Sequence, residues 1–342
     1  MVEKDYPYEY IGSQKSAGFC APQSKMLRAS RFPMLQLQDS KQLATQRASD
    51  ALPLTVIVAA RNEAHNLRRC LESLRCAAEI YVVDSQSTDA TVQIAESYGA
   101  HVVQFHYQGG WPKKRQWAMD SLPLSNEWIF LVDADEAMTA ELAAEIRQAI
   151  QDPSRDAYYV ALRMFFLGRE LRHSGARFYK LCLFRRGKGR FECRLKDQDQ
   201  SMADMEIHEH VVLEGGTNAK IGYLKHPLIH HNVESLSRYI RKHDEYSNWE
   251  AKVWQAGDTS AQELAPSLSG SQAQRRRWLR KKLFAIPGSP ILFFFYKYVF
   301  ALGFLDGMPG LIYCVFQAVQ FFHIKAKIYE LKIQAANQGR RP

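Results

Sequence analysis

Between residues 52 and 150, apolar blocks of two different periods take turns. Residues 54–60, Leu-Thr-Val-Ile-Val-Ala-Ala, are a continuous apolar run, as in a strand buried on both faces. Leu67, Cys70, Leu71 and Leu74 follow at three- and four-residue spacing, which predicts a helix. The alternation repeats. Strands are predicted at 79–84, 101–105 and 128–132, with helices opening at 87–90, near 113–122 and at Thr139. Such alternation implies βαβ units in a doubly wound, mostly parallel α/β sheet with helices on both faces.

In sheets of this kind ligands sit beyond the carboxyl ends of the strands. Residues 60–63 (Ala-Arg-Asn-Glu), Asp84 and the pair Asp133/Asp135 all fall at predicted strand ends and are expected to share one crevice. Two carboxylates one residue apart at a strand tip suit a hard cation such as Mg²⁺ or Mn²⁺ that also grips substrate phosphates. A second Asp-x-Asp, Asp197/Asp199, follows no apolar run and reads as a solvated loop.

Beyond residue 155 the pattern changes to mixed strands at 157–166, 178–185 and 207–213, then to helical spacing over 233–254. This divides the chain into a loosely ordered tail (1–50), a catalytic domain (51–250), a linker (251–274) and a basic, apolar helical region (275–342). Six basic residues within 275–282 precede apolar stretches at 291–305 and 308–324. Glycines, Asp306 and Pro309 interrupt those stretches, and 15 residues reach only about 22 Å as a helix, so a hairpin lying in one leaflet is expected rather than a span.

The net charge of +9 calls for an anionic partner. The basic run leads into apolar segments and not into interleaved base-stacking aromatics, which favours a membrane surface over nucleic acid. The six cysteines show no C-x-x-C and read as reduced thiols, and the first residues lack the profile of a secretory leader.

The motifs at 54–63, 82–91 and 132–136, with Ile-His-Glu-His at 207–210, Leu-Ile-His at 228–230 and Lys-His-Asp-Glu-Tyr-Ser at 242–247, resemble glycosyltransferase family 2 of the GT-A fold. Within it, they are similar to the branch of lipopolysaccharide core β-glucosyltransferases and exopolysaccharide transferases. The resemblance covers roughly residues 52–250. It implies inverting, metal-dependent transfer of a sugar from a nucleotide-sugar donor to a lipid-linked saccharide or lipopolysaccharide-core acceptor, at the cytoplasmic face of a bacterial inner membrane. By matching position, Asp133 and Asp135 would hold Mg²⁺ or Mn²⁺, with His230 as a further ligand. Ala59, Arg61, Glu63, Asp84, Arg115 and Asp133 would bind the nucleotide sugar, and Glu209 would be the catalytic base. Where the family often has Thr-Tyr-Asn or Thr-Lys-Asn, this chain has Ala60-Arg61-Asn62.

Periodicity around 207–213 places Glu209 on the same face as Ile207 and Val211, so its carboxylate is expected to point inward. Lys113 and Lys114 read as a solvated helix face, and His208, His210, His226 and His231 as ordinary surface or core residues. Two other classes fit parts of the pattern. A sugar-phosphate nucleotidyltransferase would usually carry a glycine-rich loop after the first strand, where this chain has Ala-Ala-Arg-Asn-Glu. A non-catalytic membrane-bound protein would need only the basic balance.

Overall fold

A computed structural model of the chain describes residues 51–196, 198, 204, 206, 209–231, 235–257 and 264–338. The predicted N-terminal tail and Asp197, Asp199, Ile207 and His208 lie outside the described residues. The first half alternates as its periodicity predicts: β1 (Leu52–Ala60), α1 (Ala64–Ser73), β2 (Ala77–Asp84), α2 (Thr91–Ser97), β3 (His101–Gln104), α3 (Lys114–Ser121) and β4 (Trp128–Asp133). These strands are parallel and lie in the order β3-β2-β1-β4. Central strand β1 is sealed on both sides. Val56, Ile57 and Val58 have no exposed surface, which stabilises the fold by about 1.5–3 kcal/mol for each side chain buried.

Register sets the functional edge. Ala60 pairs with Asp84, and Ala59 with Asp133, so three strand ends finish at one level.

The second half turns the sheet back on itself. After β5 (Glu136–Met138) and α4 (Ala140–Ala149) come β6 (Ala157–Phe166), β7 (Arg169–Glu170), β8 (Phe178–Arg185), β9 (Gly189–Phe191), β10 (Val211–Leu213) and β11 (Ile221–His231). Strand β8 inserts antiparallel between β4 and β6, and β11 runs parallel to β6. Short β5 pairs with the far end of β11, placing His230 opposite Glu136. Only two residues separate β4 from β5, yet three strands lie between them in the sheet, so the β8-β6-β11 part must curl to bring its edge strand β5 back beside β4. The result is a GT-A-type α/β architecture.

Strand β10 is shorter than the predicted 207–213 and pairs only with β9, in a separate two-stranded sheet. Glu209 therefore stands outside regular strand, and it is buried for another reason, given below.

Helix α5 (Leu236–Ala256) runs through residue 250, past the predicted end of the catalytic domain. It starts at Ser235, whose hydroxyl accepts from the Arg238 N–H. Helix α6 (Gln272–Phe284) opens with a complete capping box, Ser271 with Gln274. The predicted break between apolar stretches is present: α7 (Ser289–Phe295) passes through a wide turn, then a 3₁₀ segment at Gly303–Asp306, into α8 (Gly307–Gln338). By length and composition this last helix could cross a bilayer. It instead lies along the domain, burying Tyr313, Cys314, Phe321 and Ile324, while Lys327 donates to the Asp244 backbone carbonyl at 3.0 Å and to Ser247 at 2.7 Å, both on α5.

Candidate active site

A cavity of about 960 Å³ opens at the carboxyl ends of the strands. Every predicted site residue lines it except Asp84. Asp84 is fully buried, accepting from the Ser87 N–H at 2.9 Å, from the Ser87 hydroxyl, and from Gln104 Nε2 at 3.0 Å. In this structure it holds the loop after β2 in shape. That loop then straps the one after β1. The Asn62 N–H donates to Ser87 Oγ at 2.7 Å, the Glu63 N–H to Thr91 Oγ1 at 2.8 Å, and the Ala64 N–H to Asp89 Oδ2 at 3.1 Å. The Ser-Gln-Ser-Thr-Asp-Ala-Thr segment is thus a clamp for Arg61 and Glu63.

Asp133 closes β4 and meets two cations, the Arg115 guanidinium and the Lys180 ammonium at 3.0 Å. Burial alone would raise its pKa, but Arg115 and Lys180 hold it well below the usual carboxylate range. Burial acts on Asp135 in the same direction and is outweighed by His230, whose Nε2 lies 3.3 Å from Oδ2. Glu136 lies beneath both, within 2.8 Å of Lys180, and there burial wins and raises its pKa.

Glu209 lines the same cavity with its side chain out of solvent, 3.1 Å from the equally buried Lys113 ammonium. The Arg194 N–H donates to its Oε1 at 3.3 Å. Burial pushes its pKa up to about 7 in spite of Lys113. Lys113 is therefore no solvated helix position: it pairs with Glu209 and lies 4.7 Å from the Trp249 ring centroid. Neither is Lys114, which reaches Asp204 at 3.1 Å and the Ala60 carbonyl at 2.9 Å. A helix start that reads as surface in sequence is buried because Asp204, Glu206 and Glu209 pack against it. Glu206 accepts from the Gln116 N–H at 2.9 Å at the start of α3.

Residues 55–209 match the family model described as Glycosyl transferase family 2. The chain carries a glycosyltransferase family 2 domain. A lipopolysaccharide core biosynthesis glycosyltransferase of Rhizobium meliloti, LpsC, is 29% identical over 82% of this chain and 93% of its own. An uncharacterized glycosyltransferase of Rickettsia bellii is 28% identical over 82% of this chain and 87% of its own. Among solved structures, S. aureus TarS matches at 17% identity and a TM-score of 0.37, over 77% of this chain and 54% of TarS. Glucosyl-3-phosphoglycerate synthase from Mycobacterium tuberculosis, solved with Mn²⁺ and UDP, matches at 18% identity and a TM-score of 0.26, over 42% of this chain and 51% of its own.

Several residues at the cavity were not singled out from the sequence. Lys180 lies inside β8 in an apolar run, and the antiparallel pairing of β8 with β4 brings it to Asp133. Lys242, in the recognised 242–247 motif, faces Asp135 and Glu63 from α5, and these acids together with Tyr246 raise its pKa. Arg238 pairs with Glu63 at 2.6 Å. The one available signal was their spacing, since positions 238, 242 and 246 fall on one helical face.

Among the described residues no group of three His, Cys, Asp or Glu side chains is gathered at metal-holding distances. Asp133 is already committed to Arg115 and Lys180, which leaves Asp135, with His230 beside it, as the carboxylate open to a cation. An oxygen-rich site of one or two carboxylates fits Mg²⁺ or Mn²⁺ when substrate phosphates complete the coordination.

The transferase site also borrows from the basic run. Arg276 lines the cavity, Arg277 pairs with the buried Glu192, and Arg280 reaches the buried Glu250 at 3.1 Å. This corrects the expectation that the run faces lipid as a block: Arg277 and Arg280 turn to buried carboxylates, while Arg276 is exposed at the cavity and Arg275, Lys281 and Lys282 are exposed without a carboxylate partner among the described residues. The described cysteines are all free.

Proposed function

We propose that this enzyme transfers a sugar, with inversion, from a nucleotide-sugar donor to a lipid-linked or lipopolysaccharide-core acceptor. The observation that carries this reading is the pairing, across one cavity, of a cation-flanked acidic cluster with a separate buried carboxylate of near-neutral pKa. In the reaction the acceptor hydroxyl oxygen bonds to the anomeric carbon. The bond from that carbon to the diphosphate oxygen breaks, and the hydroxyl proton passes to Glu209. A base titrating near pH 7 suits that task, and such proton removal contributes about 10²–10⁴-fold. Arg61, Arg241 and Lys242 line the cavity and would neutralise the departing diphosphate. Ala59 lets the donor approach the β1 backbone, Glu63 contacts it from the clamped loop, and Arg115 acts beside Asp133. Asp84 would contribute by shaping that loop. Asp135 and His230 would hold Mg²⁺ or Mn²⁺, whose contribution is Lewis-acid relief of charge on the leaving group.

The acceptor would be met at a membrane. Phe300, Met308 and Ile291 are 77%, 65% and 63% exposed, and Phe295, Phe304 and Leu305 extend the same surface. A contiguous apolar face of this kind marks an interaction site. We place it in the cytoplasmic leaflet, monotopic, because α8 is held along the polar helix α5. Three exposed cations near anionic lipid would contribute about 3 kcal/mol. Screening a panel of nucleotide sugars for release of the nucleoside diphosphate, with and without membranes, tests the reading. One donor should be turned over and stimulated by membranes. Absence of turnover with every donor would overturn it.

A further inference from the structure

The basic run and the apolar surface meet at two cations that have no anionic partner among the described residues. Lys297 is buried, with its ammonium 5.5 Å from the centroids of both the Phe293 and Tyr313 rings. Burial, helped by the charge of Arg276, lowers its pKa to about 8. The Arg276 guanidinium lies 5.2 Å from the Phe178 centroid and lines the active cavity. Phe178 and Tyr313 belong to one apolar cluster, so the two cations stand over rings of the same cluster. The buried carboxylate of Asp306 is spent elsewhere, on the Arg172 and His173 N–H groups and the Ser174 hydroxyl, each at 3.0 Å.

The contrast along α6 is informative. Arg277 and Arg280 end on buried carboxylates, whereas Arg276 ends on a ring face at the cavity. Aromatic rings attract a cation without neutralising it, and burying a charge without a counter-ion is costly. Buried Lys297 and the exposed Arg276, close enough for its charge to act on Lys297, leave about two positive charges to be matched, which suits a phosphomonoester of −1.5 to −2 better than a single carboxylate. A planar guanidinium fork together with an ammonium suits its oxygens. The position also selects the source. Tyr296, Phe295 and Phe300, exposed beside Lys297, continue into the face assigned to the leaflet.

We propose that Arg276 and Lys297 form a subsite for a phosphate carried on a membrane lipid, anchoring the acceptor at the mouth of the cavity. This rests on the glycosyl-transfer and leaflet readings above for the word acceptor, and its test separates the two. Purified full-length protein is floated with phosphatidylcholine vesicles containing either phosphatidic acid, a phosphomonoester, or phosphatidylglycerol, a diester, at matched surface charge. Wild type should prefer phosphatidic acid by about tenfold, as charge-assisted contacts to one group allow. The Arg276→Gln/Lys297→Met protein should lose that preference while keeping the wild-type Tm and its binding to neutral phosphatidylcholine vesicles. Lys297→Met removes an unmatched buried charge and should not lower Tm. Should the double variant misfold, Arg276→Gln alone, at an exposed position, should lose most of the preference. Equal binding of the two vesicles by wild type, or a preference retained in the variants, overturns the proposal. So does stabilisation by free inorganic phosphate without vesicle preference, which assigns the pair to a soluble anion. Loss of donor hydrolysis in wild type would strike the function and leave the vesicle result standing.

Discussion

Replacing Lys113 by methionine removes the cation that is ion-paired with Glu209 while preserving much of its volume. At 3.1 Å and an effective dielectric of about 20, Coulomb attraction is roughly 5 kcal/mol. Breaking a buried pair typically costs about 3–5 kcal/mol, and 1.36 kcal/mol corresponds to one pKa unit. Allowing for relaxation, the Glu209 pKa should rise by about two units, from near 7 to near 9. At pH 7 the ionised fraction of the base then drops from about half to about one per cent, a fall of roughly fiftyfold in kcat/KM. The sign is fixed, because a base must be ionised to accept a proton. Activity of the variant should recover as pH rises, with the ascending limb of log kcat/KM displaced to higher pH. The assay is donor and acceptor turnover from pH 5.5 to 10 for both proteins. An unmoved limb, with activity lowered equally at every pH, would refute the link between Lys113 and the base.

Asp135→Ala should lower turnover at least a hundredfold, and EDTA should abolish activity in wild type until Mg²⁺ or Mn²⁺ is restored; turnover unchanged by chelation would remove the metal. Asp306→Ala strips the acceptor from two backbone N–H groups and one hydroxyl, so thermal unfolding should show a loss of about 2–4 kcal/mol. A null shift would show that Asp306 does not secure the C-terminal region. Phe300→Ser/Met308→Ser should move the protein from the membrane to the soluble fraction with turnover of a soluble acceptor intact, and persistence on membranes would contradict the leaflet placement. Deleting 275–342 is a poorer test, because it would leave Glu192 and Glu250 buried without Arg277 and Arg280.

The parallel half of the fold was legible because its strands are buried on both faces. Residues 54–60 and 128–132 are apolar apart from Thr55, and runs this short and rich in β-branched residues fit strands covered on both faces. The convergence of 60–63 with Asp133 and Asp135 followed from strand ends alone. What the sequence hid depends on which distant segments pair and pack. Lys180 reads as a charge interrupting a strand until β8 is threaded between β4 and β6. Lys113 and Lys114 look solvated because the acids that bury them, Glu209 and Asp204, lie about ninety residues away along the chain. Glu209 was found by resemblance, and the alternation argument reached an inward carboxylate by treating as strand a residue that lies just before β10. The basic run misled for the opposite reason: clustering in sequence says nothing about which members of a helix face inward.

Everything turns on a buried carboxylate whose proton affinity suits removal of a proton at neutral pH. Gln at position 209 keeps shape and removes the base, so single-turnover rates of the Glu209→Gln protein and wild type, measured at saturating donor and at pH 8, address it directly. The expected result is a rate at least a hundredfold lower, with donor affinity preserved and the pH-dependent limb near 7 absent. A variant that retains near-normal turnover, or that keeps the same limb, would contradict the assignment.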